Sequence, residues 1–200
     1  MQHFSTIVSS HITDNTASSY GGGIYTHHTA SKGVIINCRI TGNVGQNGGG
    51  GVTLSGSNDV MESCTIASNR TTLNSGGGIY IRYAGTNIVR NNVIYGNTAS
   101  GANTNWMHDT GAGVEYINSC TMPTNNLPGA NNIQADPKFI GDWRLGRIAS
   151  DSPCINTGLN QPWMVGAVDF DGRARIDRFS RQVDMGCYEY LPNGAMFLGR

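Results

Sequence analysis

The sequence predicts an all-β chain, a right-handed parallel β-helix of about five coils of 26–28 residues with an irregular C-terminal cap. Three observations carry this. A nine-residue block ending in asparagine recurs along the first part of the chain, and a glycine cluster punctuates each interval. Long runs of the helix formers Ala, Leu, Glu and Lys are absent, while Gly, Asn, Ser and Thr dominate, which favours short strands joined by tight turns.

The blocks occupy 7–15, 35–43, 61–69, 89–97 and 117–125, and their final asparagines lie 28, 26, 28 and 28 residues apart. Ile7, Ile35, Met61, Val89 and Ile117 form one apolar column, and Ile12, Ile40, Ile66, Ile94 and Met122 a second. A column of smaller residues (Ser10, Cys38, Cys64, Asn92 and Cys120) sits two positions before the second. That step is the strand period, so the two share a face. Ser9, Asn37, Ser63, Asn91 and Ser119 break the alternation, as a bend between two strands requires. Asn15, Asn43, Asn69, Asn97 and Asn125 suit left-handed turns and a ladder of stacked amides. Glycines at 21–23, 48–51, 76–78 and 111–113 (with Ala112) precede Ile24, Val52, Ile79 and Val114. Three short strands per turn are expected, each coil rising by about 4.8 Å.

Composition excludes several classes. Thirteen basic residues balance thirteen acidic ones, with no basic excess to hold a nucleic acid. Low charge with ample apolar content is unlike a disordered chain. No stretch approaches the roughly 18 apolar residues of a membrane span, and the opening residues show no signal peptide. The five cysteines form no C-x-x-C pair, which removes zinc-ribbon and thioredoxin readings.

The Gly-Gly-Gly-Ile-Tyr blocks at 21–25 and 76–80 are similar to the repeats of polymorphic outer-membrane proteins and of related pectate-lyase-like β-helices. Further on, five blocks follow in order: Asp-Pro-Lys-Phe at 136–139, Trp-Arg-Leu at 143–145, Ser-Pro-Cys-Ile-Asn-Thr-Gly at 152–158, Asp-Phe-Asp-Gly-Arg at 169–173 and Val-Asp-Met-Gly-Cys-Tyr-Glu-Tyr at 183–190. This series resembles the C-terminal region of bacterial choice-of-anchor Q domain proteins. The resemblance implies a secreted or surface-attached bacterial protein. In such an exported chain, Cys154 and Cys187, both in these blocks, are a candidate disulfide.

The expected organisation is a coil stack over 1–128 and a capping segment over 129–200, with Trp143, Leu145, Ile155, Val165, Val168, Met185, Tyr188 and Tyr190 covering the last coil. The first coil has no cap of its own, which predicts further upstream coils of the same protein.

Candidate chemistry is sparse. The coil carboxylates Asp14, Asp59, Glu62, Asp109 and Glu115 occupy different columns, so no glycosidase-like pair is expected among them. Arg82 and Arg90 are expected on one exposed surface, without the acidic cluster that a calcium-dependent lyase needs. His27 and His28, adjacent on a strand, point to opposite faces and cannot share a metal. The Asp169 to Gly172 segment suits a turn better than a calcium loop, so no metal and no cofactor is expected. One irregularity stands out. The segment 98–109 lengthens the interval after Asn97, and as a loop protruding from a rigid coil it is the candidate ligand site, with Asn103, Asn105, Trp106, His108 and Asp109 as contacts. The expected function is a non-catalytic secreted or cell-surface β-helix, stalk-like, adhesin-like or contacting a polysaccharide or surface glycan. The alternative is a polysaccharide lyase or glycoside hydrolase.

Overall fold

The computed structural model describes residues 4–27, 32–83 and 85–191. His28 and residues 192–200 lie outside these, so the expectation for His28 has no structural counterpart. The strands stack into four parallel sheets, not the three expected. The first sheet runs Phe4–Val8, Lys32–Ile36, Val60–Glu62, Asn87–Arg90, Val114–Ile117 and Gly129–Ala130. The second holds His11–Thr13, Arg39–Thr41, Thr65–Ala67, Val93–Tyr95 and Cys120–Thr121. Pairs of residues from Thr16–Ala17 to Thr98–Ala99 make the third. The fourth consists of Ile24–Tyr25, Val52–Leu54, Ile79–Ile81 and Trp106–His108. Four coils visit every sheet, and a fifth visits only the first two before the chain returns at Gly129–Ala130.

Backbone conformation sets the corners. Ser9, Asn37, Ser63, Asn91 and Asn118 are left-handed between the first and second sheets. Asp14, Gly42, Ser68 and Gly96 are left-handed one residue before the asparagine column. The column itself is a hydrogen-bonded ladder: the Asn43 backbone N–H and Nδ2 both donate to Asn69 Oδ1 at 3.0 Å, and Asn69 does the same to Asn97. Each amide also donates back to a carbonyl of the coil below, as Asn69 Nδ2 does to Ile40 at 2.9 Å. These buried amides are therefore satisfied from both sides, which a low-dielectric interior demands. The glycine turn that follows is a place of close backbone approach. A Cβ on Gly50 would lie 2.4 Å from the Arg70 carbonyl oxygen and 2.5 Å from that of Gly77.

Ile35, Met61, Val89, Ile40, Ile66, Ile94, Val52, Leu54, Ile79 and Ile81 fill the stack, with Cys38 and Cys64 among them. Each such fully buried aliphatic side chain contributes about 1.5–3 kcal/mol. At the fifth coil the register departs from the gapless repeat by one residue. Val89 pairs with Tyr116, not Ile117, and Ile94 with Thr121, not Met122. A one-residue slip exchanges faces. Tyr116 accordingly enters the core, Met122 is exposed, Ser119 continues the small column, and Cys120 turns outward.

The segment beyond Ala130 is not an end cap as expected. It folds down the flank of the stack, reaching coils from last to first. Asn118 and Asn91 donate to the Thr157 and Leu159 carbonyls, and Asn37 to that of Val168. Phe170 meets His11 edge-on at 4.1 Å, and Arg144 pairs with Asp14, both in the first coil. The outer face of the second sheet is thereby covered, and Val93 and Cys120 join Ile148, Cys154 and Met185 in a second core. The stack end is closed by other residues, with Leu127 packed on the core and Trp106 Nε1 donating to the Pro123 carbonyl at 2.8 Å. Val165 and Val168, expected as cover, are exposed.

The expected turn at Asp169 is present. Asp169 Oδ1 accepts from the N–H groups of Asp171 and Arg173, and Oδ2 from that of Glu189. Inside the flanking segment Arg175 is fully buried, with Nη1 3.2 Å from Glu189 Oε1 and Nη2 donating to the Gly186 carbonyl.

Candidate functional site

The segment 98–109 does not protrude. Trp106–His108 pairs in register with Ile79–Ile81, so Trp106 is the fourth coil's core residue and is only 7% exposed. Its ring stacks on His108 at 5.1 Å and meets Tyr116 at 6.1 Å. Asn105 is buried too. Its Oδ1 accepts from the Asn97 backbone and side chain at 3.1 Å, so it ends the asparagine ladder in the place expected for Asn125, which is exposed. Asn103 Nδ2 donates to the Met107 sulfur. Burial lowers the pKa of half-buried His108. Trp106 and Asn105 are therefore structural, and the structure does not assemble the five residues as one exposed site.

Asp109 alone leads to a surface cluster. The outward column of the fourth sheet is Tyr25, Thr53, Tyr80 and Met107, one per coil. Thr53 is small, so two rungs, about 9.6 Å, separate the tyrosines. Tyr20, bridged to Gly48 on the next coil, brings its ring into this interval. It stacks with Tyr25 at 6.4 Å and with Tyr80 at 5.9 Å. Gly48 makes the room, since a Cβ there would lie 2.4 Å from Tyr80 Cδ1. Arg82 lies over the Tyr20 ring, its guanidinium carbon 4.0 Å from the centroid, and 5.0 Å from that of Tyr83. Arg82 Nε is buried and makes no hydrogen bond among the described residues. Asp109 Oδ1 accepts from the Tyr80 hydroxyl at 2.5 Å. Burial first, and then this carboxylate, push the Tyr80 phenol up to about 12. Tyr25 and Tyr83 are about two-fifths exposed, at 43% and 39%.

Sequence reasoning singled out Arg82 and Asp109 but not the tyrosines around them. The signal was there: the two Gly-Gly-Gly-Ile-Tyr blocks place Tyr25 and Tyr80 in one column, with Tyr20 directly before the first block and Tyr83 three residues after the second. Arg90, expected beside Arg82, lies on the first sheet paired with Glu62 of the rung below, at 2.9 Å.

A second aromatic surface lies where the flanking segment meets the fourth coil. Trp143, 43% exposed, borders a groove of about 350 Å³ with Tyr95, Thr104, Asn105, Met122 and Gln134. Its ring is engaged structurally, against Tyr95 at 5.9 Å and Phe139 at 6.1 Å.

Of the remaining coil carboxylates, Glu62 pairs with Arg90 and Asp59 is held apart from it. Asp59 is buried and accepts from Thr26 Oγ1 and from the N–H groups of Gly33 and Gly56. Among the described residues no group of three His, Cys, Asp or Glu side chains is placed to hold a metal ion, and no helix is long and apolar enough to cross a membrane. All five thiols are free, and the expected Cys154–Cys187 bridge is not formed.

Searches of the curated proteins and of the solved structures returned no match. The family model described as right handed beta helix region matches residues 4–134, and with its stacked parallel sheets the chain belongs to that family.

Proposed function

We propose that this chain is a glycan-contacting module of a secreted or cell-surface β-helix protein, and that it meets its ligand on the outer face of the fourth sheet. One observation carries the proposal: the exposed Tyr25 ring and the half-buried Tyr20, backed by the buried Tyr80, with Arg82 laid over Tyr20. Tyrosine rings offer a flat apolar surface with a polar tip, suited to the C–H faces and hydroxyls of a sugar ring. The stack holds them on a rigid scaffold, so little ordering entropy is lost on binding. Arg82 supplies a planar donor whose Nε has no partner among the described residues. The tail blocks' resemblance to choice-of-anchor Q proteins supports the surface location.

The test is affinity electrophoresis through a panel of neutral and acidic polysaccharides, with reducing and unsaturated ends measured in parallel. Retardation is expected for the wild type. A Tyr25→Ala/Tyr83→Ala double variant and Arg82→Gln are each expected to weaken it by about tenfold or more, the scale of a lost charge-assisted hydrogen bond. Trp143→Ala should leave it intact. Retardation that survives the tyrosine and arginine changes would reject this face. Release of new chain ends would instead favour a lyase or hydrolase.

A further inference from the structure

The five cysteines fall into two neighbouring pairs and one remaining thiol. Cys38 and Cys64 lie one above the other in the core column, with the Cys38 N–H donating to Cys64 Sγ at 3.4 Å. They occupy the corner between paired strands, with Ile36 opposite Glu62 on one side and Arg39 opposite Thr65 on the other, so the rung spacing of about 4.8 Å holds them apart. A disulfide needs its Cβ atoms about 3.5–4.5 Å apart, so the ladder itself opposes that bridge.

Cys120 and Cys154 are placed differently. The register slip of the fifth coil turns Cys120 outward, and the flanking segment lays Cys154 against it in the second core. Cys120 donates to the Ala135 carbonyl at 3.3 Å, and Cys154, its N–H donating to Ser152 Oγ at 3.2 Å, packs in the same buried cluster. Cys154 sits in an irregular turn stretch, where no strand pairing fixes its distance from its neighbour. Cys187 is elsewhere, its N–H donating to Thr65 Oγ1 at 3.1 Å. Thr65 is two rungs from Cys120 through Val93, about 9.6 Å along the stack, beyond the Cα reach of a disulfide.

We propose that Cys120 and Cys154 are the chain's disulfide-forming pair, and that their oxidation fastens the flanking segment to the coil stack. The oxidant is a small-molecule disulfide such as glutathione disulfide. One cysteine thiolate attacks it, forming a mixed disulfide and expelling one glutathione thiolate. The second cysteine then attacks the mixed disulfide and expels the other. Two protons leave the cysteines and two electrons pass to the oxidant, giving two glutathione thiols. Both cysteines are fully buried, and the neighbouring Cys120 thiol together with burial holds the Cys154 thiol far above its ordinary pKa. Attack by the native thiol is therefore slow, and the bridge forms as the segment docks during folding. The inference stands apart from the glycan proposal.

The test refolds the full chain from denaturant with glutathione disulfide, then maps the peptides and measures Tm. The expected product is a peptide joining Cys120 to Cys154, with three of the five thiols still titratable and Tm raised by about 5–10 °C. Cys187→Ser should leave the cross-link in place, whereas Cys154→Ser should abolish it without preventing folding. A Cys154–Cys187 or Cys38–Cys64 product, or five titratable thiols after oxidative refolding, would overturn the proposal.

Discussion

The coil stack and the flanking segment both bury polar groups, but they satisfy them by opposite means. In the stack the amides of the asparagine column meet copies of themselves one coil away, and Asn43, Asn69 and Asn97 repeat one pattern of bonds. The flanking segment has two 3-10 turns and isolated bridges for secondary structure, so its carbonyls and N–H groups meet side chains instead. Arg175 reaches the Gly186 carbonyl, Asp184 accepts from the N–H groups of Asn156 and Tyr190, and Asp169 accepts from three N–H groups. A repeating interior distributes the same small gain over many rungs. An irregular one concentrates it in a few buried charges, where single losses are felt and protons matter.

The largest difference is expected in the ladder. Asn69 makes four side-chain hydrogen bonds, two accepted and two donated, all buried. Asn69→Ala should destabilise the chain by about 3–4 kcal/mol in denaturant unfolding, since its neighbours' groups are left without partners. Asn125→Ala, a change at an exposed residue with the same place in the sequence repeat, should fall within about 0.5 kcal/mol. Equal effects would mean that the ladder does not end at Asn105.

Next comes the buried cation of the flanking segment. Arg175→Met should cost about 2–3 kcal/mol at neutral pH, less than a typical broken buried pair because Glu189, raised to about 9, already carries a proton there. Circular dichroism should show the loss as an early transition of this segment, with the coil stack unfolding later.

The third difference is in pH response. Burial pushes Asp184 up to about 6 and Glu189 up to about 9, against the opposing pull of the Arg175 cation. Asp169 and Asp177 add negative charge nearby. Both folded-state values lie above the unfolded ones, so this stability is present in acid and is lost as pH rises through about 6 and then about 9. Tm should accordingly fall between pH 5 and pH 9. Glu189→Gln should flatten the upper part of that fall, and a Tm that rises over this range would contradict it.

The smallest effect belongs to the joint between the two regions at the first coil. Arg144 and Asp14 are both exposed, so Asp14→Asn should change stability by no more than about 0.5 kcal/mol.

The stack was legible in the sequence because every rung repeats one physical solution, and columns such as Ile12, Ile40 and Ile66 show it directly. Errors arose where the repeat shortened. The structure spaces Val89 and Tyr116 by 27 residues, whereas a gapless alignment imposed 28 and turned Cys120 inward. Trp106 was misplaced for a related reason: the glycines at 111–113 looked like the fourth turn, although Asn103 to Asn105 hold that place. Spacing from the ladder asparagine was the better guide. Nine residues separate Asn15 from Ile24, Asn43 from Val52 and Asn97 from Trp106. The path of the flanking segment was not legible, because its contacts join residues up to 149 positions apart with no period to reveal them. The tyrosine face stayed hidden for another reason. Tyr20 lies outside any strand, and only the folded turn at Gly48 brings it between Tyr25 and Tyr80.

The same comparison bears on the proposed contact, because each region offers an aromatic surface: Tyr25 and Tyr83 on the stack, and Trp143 on the flanking segment. The most direct measurement is a titration with an oligosaccharide of whichever polysaccharide retards the protein, followed by NMR of the aromatic side chains. The expected result is that the ring signals of Tyr25, Tyr20 and Tyr83 shift in a saturable way while the Trp143 indole stays in place. Saturable movement of the Trp143 indole with the tyrosine rings unmoved would contradict the assignment and move the contact to the groove beside Tyr95.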